Sequence, residues 1–178
     1  MIHGAERAKS LMIALRDRSP ILMIKNRIRS PYMSATRTPA DVMHLYLEEV
    51  VAKGRIELLD EIAAEDMVDH TAVAAGWGYG REGLVKHVQT AVASLAELQV
   101  TVERVIASRD EVVGVWRVRA IHAGPLFGIP ATQKRIDWRN ASIFRVSDGL
   151  ITDYTGVWGS LEAVAQMGVP IRLPLAPP

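Results

Sequence analysis

VVGVWRVRAIH (residues 112–122), RIDWRNASIFRV (135–146) and LITDYTGVW (150–158) decide the fold of this 178-residue chain. Each alternates in character with the period of two that a β-strand requires. Ser147-Asp148-Gly149 closes a hairpin between the second and third. GPLFGIPATQK (124–134), between the first and second, is too long for a tight turn and reads as a loop by Gly124, Pro125, Gly128 and Pro130. SLEAVAQMG (160–168) ends the region as a short helix. One set of alternate positions mixes Trp, His, Asn, Ser and Tyr, an odd composition for a plain core, and a function would reside there.

Upstream the period changes. Leu98, Val100, Val102 and Val105 mark one more strand. Leu84, Val85, Val88, Val92 and Leu95 recur at helical spacing, so residues 81–95 are the longest helix. Met67-Val68-Asp69-His70 is a brief buried strand or turn that delivers His70 inward, followed by the loop GWGYGREG. Ile56, Leu58, Leu59 and Ile62 make a short second helix. The first helix starts at Thr38-Pro39-Ala40-Asp41, which supplies an N-cap, a proline at the first helical position and an early acidic residue. Val42, Leu45, Tyr46, Glu49 and Val50 continue it to the stop at Gly54. Helices first and an antiparallel meander after them predict an α+β fold, a cone-shaped curved mixed or antiparallel sheet covered by about three helices.

Length and composition fit one domain with a real core. The chain lacks cysteine, so disulfides, thiol nucleophiles and iron–sulfur clusters are excluded. The sequence carries no transmembrane-length apolar run, and a cytoplasmic location is expected. Residues 1–36 form a basic N-terminal extension, with Arg7, Lys9, Arg16, Arg18, Lys25, Arg27 and Arg29 against Glu6 and Asp17. Met33 within it opens MSATRTPADV in the manner of a translation start. The extension lacks the interleaved aromatics of a single-strand nucleic-acid binder, so neither nucleic acid nor membrane is expected as a partner. The domain spans 37–170, and 171–178 is a proline-rich tail.

The order of elements and the loop-plus-hairpin signature resemble the SnoaL-like polyketide cyclases of the nuclear-transport-factor-2-like superfamily. His122, Gly124, Gly128, Ile129, Pro130, Thr132, Lys134, Ile143, Phe144, Arg145, Val146, Asp148 and Gly149 fall in step with the family's pattern, and Met67–His70 is similar to its early segment. The likeness covers about residues 38–169. It implies a cone-shaped barrel with a deep apolar pocket, a homodimer through the outer sheet face, no metal or organic cofactor, and acid/base work on a bulky ring substrate. It also places Gly156 where the family has a catalytic aspartate, and Ser142 where some cyclases have a histidine.

Alternation from position 156 sends Thr152, Tyr154 and Trp158 inward, with Trp138, Asn140 and Ser142 on the neighbouring strand. Asp137, Arg139 and Asp153 then face outward. His70 is the candidate base, because an imidazole titrates near neutrality. Tyr154 is the candidate acid or oxyanion donor, with His122 and Asn140 as further catalytic candidates. Trp77 and Tyr79 on the glycine loop, Trp138, Ser142, Trp158, Tyr46 and Arg119 are candidates for binding substrate. Trp116 reads as core, and His44 and His87 as surface residues of helices. His70, His122 and a carboxylate are the nearest set for a metal, but nothing in their spacing defines a site.

The expected function is a cofactor-independent lyase or isomerase, such as a retro-aldol cleavage, on an aromatic or polyketide-like molecule. The alternatives are a non-catalytic ligand-binding module, and a polyketide cyclase that uses another pocket carboxylate, for which Asp69 and Asp137 are the nearest.

Overall fold

The computed structural model describes residues 37–170. The basic extension and the proline-rich tail lie outside the described residues.

Helix α1 (Pro39–Leu45) begins with a complete capping box. Thr38 Oγ1 accepts from Asp41 N at 3.2 Å, and the Asp41 carboxylate accepts from Thr38 N at 2.9 Å. The bond with Thr38 holds the Asp41 carboxyl below its ordinary value. The helix widens into a π-turn over Tyr46–Val51 that keeps Tyr46, Leu47, Val50 and Val51 buried. A 3-10 turn (Ile56–Leu58) runs into the one-turn helix α2 (Leu59–Ile62), as the second short helix predicted.

Strand β1 (Ala63–Asp69) leads directly into helix α3 (His70–Ala74), a helix the sequence reading did not include. Helix α4 (Gly80–Ala93) precedes strands β2 (Leu95–Ser108), β3 (Glu111–His122), β4 (Arg135–Ser147) and β5 (Leu150–Trp158), and helix α5 (Ser160–Met167) follows them. The sheet runs β1-β5-β4-β3-β2. It is open, antiparallel from β2 to β5, with β1 parallel to β5. This is the α+β arrangement with a mixed sheet that the sequence predicts. The β4–β5 turn is Asp148-Gly149, with φ of 52° and 77°, the left-handed pair of a tight hairpin.

Val112, Trp116, Val118, Ala120, Ile136, Trp138, Phe144 and Tyr154 face the helices and pack on Val42, Met43, Leu47, Leu59, Leu84 and Val88. Asn140 and Ser142 share that inner face, and Asp137 and Arg139 lie on the other. Thr152 is a correction. A register irregularity opposite Arg145 and Val146 turns Ile151 into the core instead, and the Thr152 hydroxyl donates to the Arg145 carbonyl. No helix among the described residues is long and apolar enough to cross a membrane.

Candidate active site

Between α4, α3, β5 and the 123–134 loop lies a cavity of about 460 Å³. Trp77, Leu126, Phe127 and Trp158 give it an apolar wall, and Thr71, Thr90, Ser160 and His87 supply the polar groups. The 123–134 loop reaches the cavity through a tight turn in which Leu126 and Ile129 exchange backbone hydrogen bonds. Phe127 stands at its tip and meets the Trp158 ring edge-on at 6.1 Å.

His87 is the central side chain. It was expected on the helix surface, and the structure corrects this: His87 is 2% exposed. Its neighbours explain the burial. Leu84, His87, Val88 and Ala91 follow the i, i+3, i+4, i+7 stripe of α4, so His87 falls on the inward face. The imidazole is stacked 5.5 Å from Tyr154 at 8°, with Trp158 at 5.3 Å and Trp77 at 5.6 Å. His87 Nδ1 lies 2.7 Å from Asp69 Oδ2, and Asp69 is itself 1% exposed.

Asp69 caps α3. Its Oδ1 accepts from Thr71 N at 2.9 Å and Ala72 N at 3.0 Å. The carboxylate thus meets three N–H donors where β1 ends, and its geometry is fixed by backbone on one side. A carboxylate can only accept, so Nδ1 carries the proton it donates and Nε2 is left as the acceptor of the neutral ring. The arrangement is a histidine oriented by a buried aspartate at the wall of an apolar cavity.

Tyr154 completes the group. Burial pushes its phenol up to about 12, and the Asp69 charge adds to this, while hydrogen bonds with Ser142 and Tyr46 oppose it. Burial, then Tyr154 and Asp69, drives the Tyr46 phenol well above its ordinary value. Both phenols therefore remain protonated near neutrality. Ser142 Oγ also accepts from Trp116 Nε1 at 3.1 Å, so the hydroxyls rest on an indole of the next strand.

Several expected placements differ. His70 is not delivered inward: as the first residue of α3 it turns out of the core, its side chain 55% exposed and its Nε2 2.9 Å from Asp153 Oδ2. Tyr79, 79% exposed, points away from the cavity whereas Trp77 lines it. Arg119 lies on the outer sheet face and pairs with Asp137 at 3.0 Å. Trp138 is buried behind the cavity wall, and its Nε1 donates to Asn140 Oδ1 at 2.8 Å. Asn140 Oδ1 also accepts from Gly159 N at 3.3 Å, which ties β4 to the start of α5. Tyr46 and Tyr154 border a small void beneath His87, not the main cavity. His122 is fully buried and its Nδ1 accepts from Thr132 N at 3.3 Å, holding the 123–134 loop. Of the candidate set, Tyr154, Trp77, Trp158, Ser142 and Tyr46 gather around His87; His70, Tyr79 and Arg119 do not. The outward face of Asp137 leaves Asp69 as the carboxylate of the site.

Among the described residues no group of three His, Cys, Asp or Glu side chains converges on a metal site.

The chain belongs to the SnoaL-like polyketide cyclase family, whose model matches residues 41–167. Among solved structures it is similar to IdmH of Streptomyces antibioticus, a candidate polyketide cyclase, with 26% identity and a TM-score of 0.63 over 75% of this chain and 100% of that one. A candidate SnoaL-like polyketide cyclase of Jannaschia sp. CCS1 matches at 18% identity and a TM-score of 0.64, covering 76% of this chain and 98% of that one. AclR of Streptomyces galilaeus, a candidate hydroxylase, matches at 19% identity and 0.59, over 77% and 91%. A search of curated proteins gives no match to the sequence. Family and fold together define a small-molecule enzyme of the polyketide-related kind.

Proposed function

We propose that this protein is a cofactor-independent acid/base enzyme, a lyase or isomerase, acting on a hydrophobic aromatic or polyketide-like molecule. The observation that carries this reading is the buried pair of His87 and Asp69 beside an apolar cavity of about 460 Å³. Such a cavity suits a bicyclic or tricyclic ring and offers few groups to hold a sugar or a phosphate.

In this reading His87 Nε2 removes a proton from carbon next to a carbonyl, or from a hydroxyl, and Asp69 steadies the imidazolium that forms. Tyr154 borders the void beneath His87 and not the cavity itself, and donates to the oxygen on which charge develops where the substrate reaches into that void. Return of the proton to a different atom isomerises the substrate. Breaking a carbon–carbon bond instead is a retro-aldol cleavage, with the electron pair of that bond taken up by the enol. An intramolecular aldol cyclisation uses the same two groups in the reverse sense, and the similarity to IdmH supports it as the second reading.

The outer sheet face, where Ile106 and Val157 are each 54% exposed, is the surface we assign to a homodimer.

The experiment is a screen of hydroxylated aromatic and polycyclic compounds with wild type and His87→Asn, read by product mass and chromatographic retention so that an isomer is resolved from its substrate. An isomer or a fragment formed by wild type alone supports the reading. Binding without turnover by both proteins leaves a ligand-binding module and removes the enzyme.

A further inference from the structure

Gly156 on β5 is the centre of an unusual convergence. An ideal Cβ built there lies 2.7 Å from Trp158 Nε1, 3.1 Å from the Tyr154 hydroxyl and 3.3 Å from Thr71 Oγ1. Three polar atoms from two strand positions and a helix thus surround one point, and each carries a proton to donate. Trp158 Nε1 is buried and has no hydrogen-bond partner among the described residues. The other two buried indoles differ, since Trp116 donates to Ser142 and Trp138 to Asn140. An unpaired buried donor is costly to leave empty, so its retention points to a partner that arrives with a ligand.

The surroundings indicate which ligand. Trp158 and Thr71 line the apolar cavity, and together with Gly156 they also border a second hollow. All three groups are donors, so the cluster favours an acceptor oxygen.

We infer that Trp158 Nε1, the Tyr154 hydroxyl and the Thr71 hydroxyl form a donor cradle in front of Gly156 that binds a ring-borne oxygen carrying or developing negative charge, a phenolate or an enolate. This deepens the reading of the cavity as an acid/base site and rests on it. The absence of a side chain at Gly156 is what admits the oxygen, and Trp158 is the residue that discriminates. The oxygen sits on the β5 side while His87 works from α4, so acceptor and base address the ring from different walls.

The test uses 4-nitrophenol, whose phenolate absorbs at longer wavelength than the neutral phenol, at a pH where the free compound is mostly neutral. Wild type is expected to bind it with the phenolate band present and with the Trp158 indole resonance displaced in a proton–nitrogen NMR spectrum. Trp158→Phe is expected to lose the band and to bind about 10- to 100-fold more weakly, as for a lost hydrogen bond to a charged group. Gly156→Ala keeps all three donors and fills the cradle with a methyl group, and is expected to do the same. Circular dichroism melting confirms that both variants are folded, and either folded variant suffices. Turnover of the mass-screen compounds failing in wild type while the phenolate band persists counts against the base alone. No binding by wild type, an unmoved Trp158 resonance, or binding kept in folded Trp158→Phe each overturns the cradle.

Discussion

Two histidine–aspartate pairs occur at the end of β1, and neighbouring residues separate them. Asp69 pairs with His87 at 2.7 Å with both side chains almost fully enclosed. His70 pairs with Asp153 at 2.9 Å with side chains 55% and 40% exposed. The lengths are nearly alike, so bond geometry alone does not distinguish a reactive pair from a surface one. The difference is in what surrounds them. Around His87 three aromatic rings exclude water and the backbone of α3 fixes the carboxylate, whereas around His70 water screens the charges and competes for every bond.

The largest expected effect breaks the comparison at its chemical end. His87→Gln should lower turnover by about 10²- to 10⁴-fold, the usual worth of a general base. His70→Gln should leave it within about twofold, since an exposed pair contributes little. Steady-state rates of both variants on one substrate from the mass screen decide it; equal losses would erase the distinction.

Stability should separate the pairs next. Asp69→Ala removes a helix cap and the partner of a buried imidazole, and should cost about 2–4 kcal/mol. Asp153→Ala should cost no more than about 1 kcal/mol. Urea unfolding of the two variants gives both values directly.

Alkaline pH sharpens the same contrast through Tyr154. Its folded phenol is raised to about 12 from the ordinary 10.0, so between those values the unfolded chain gives up a proton that the folded chain keeps. Stability is complete below pH 10 and falls as pH rises towards 12. Tyr154→Phe should make the melting temperature less steep over that window, leaving the part due to Tyr46, which is raised in the same sense. An unchanged slope would mean that the phenol is not buried as described.

The smallest effect belongs to the outer face. Arg117 holds the Asp137 carboxyl below its ordinary value through a paired contact, Nη2 to Oδ2 at 2.8 Å, and Arg119 adds to it. A depressed acid stabilises above its unfolded value and loses that contribution as pH falls through the folded one. Asp137→Asn should therefore flatten the acid limb of stability below about pH 3.9, by no more than about 1 kcal/mol for so exposed a pair. Melting curves between pH 2 and 7 measure it.

Most of the fold was legible because strands β2 to β5 write their alternation openly, and because Thr38-Pro39-Ala40-Asp41 and Asp148-Gly149 are local signals with local causes. The parallel pairing of β1 was not, since nothing in AAEDMVD announces a partner at the far end of the chain. The inward face of β4 was likewise legible, and Trp138, Asn140 and Ser142 lie on it. The inward placement of His70 failed for a specific reason. His70 fell in step with the family's early segment, while His87 sat on the apolar stripe of Leu84, Val88 and Ala91, where helical spacing alone marked it as buried. His70 also lies one residue past the end of a strand, where the alternation of sides no longer holds.

The parallel pairing of β1 has a consequence for how the molecule comes to exist. β1 is the first of the described strands to leave the ribosome, and His70 and Asp153, which meet beside it, are 83 positions apart. Until β5 has been synthesised, β1 has no neighbour in the sheet, and Asp69 has no Tyr154 beside it. Contacts of such long sequence separation slow folding and leave an unpaired strand edge open to other chains meanwhile. Assembly of the reactive pocket is thus among the last events of folding, and nascent chains that stall before residue 150 are expected to be inert and prone to aggregate.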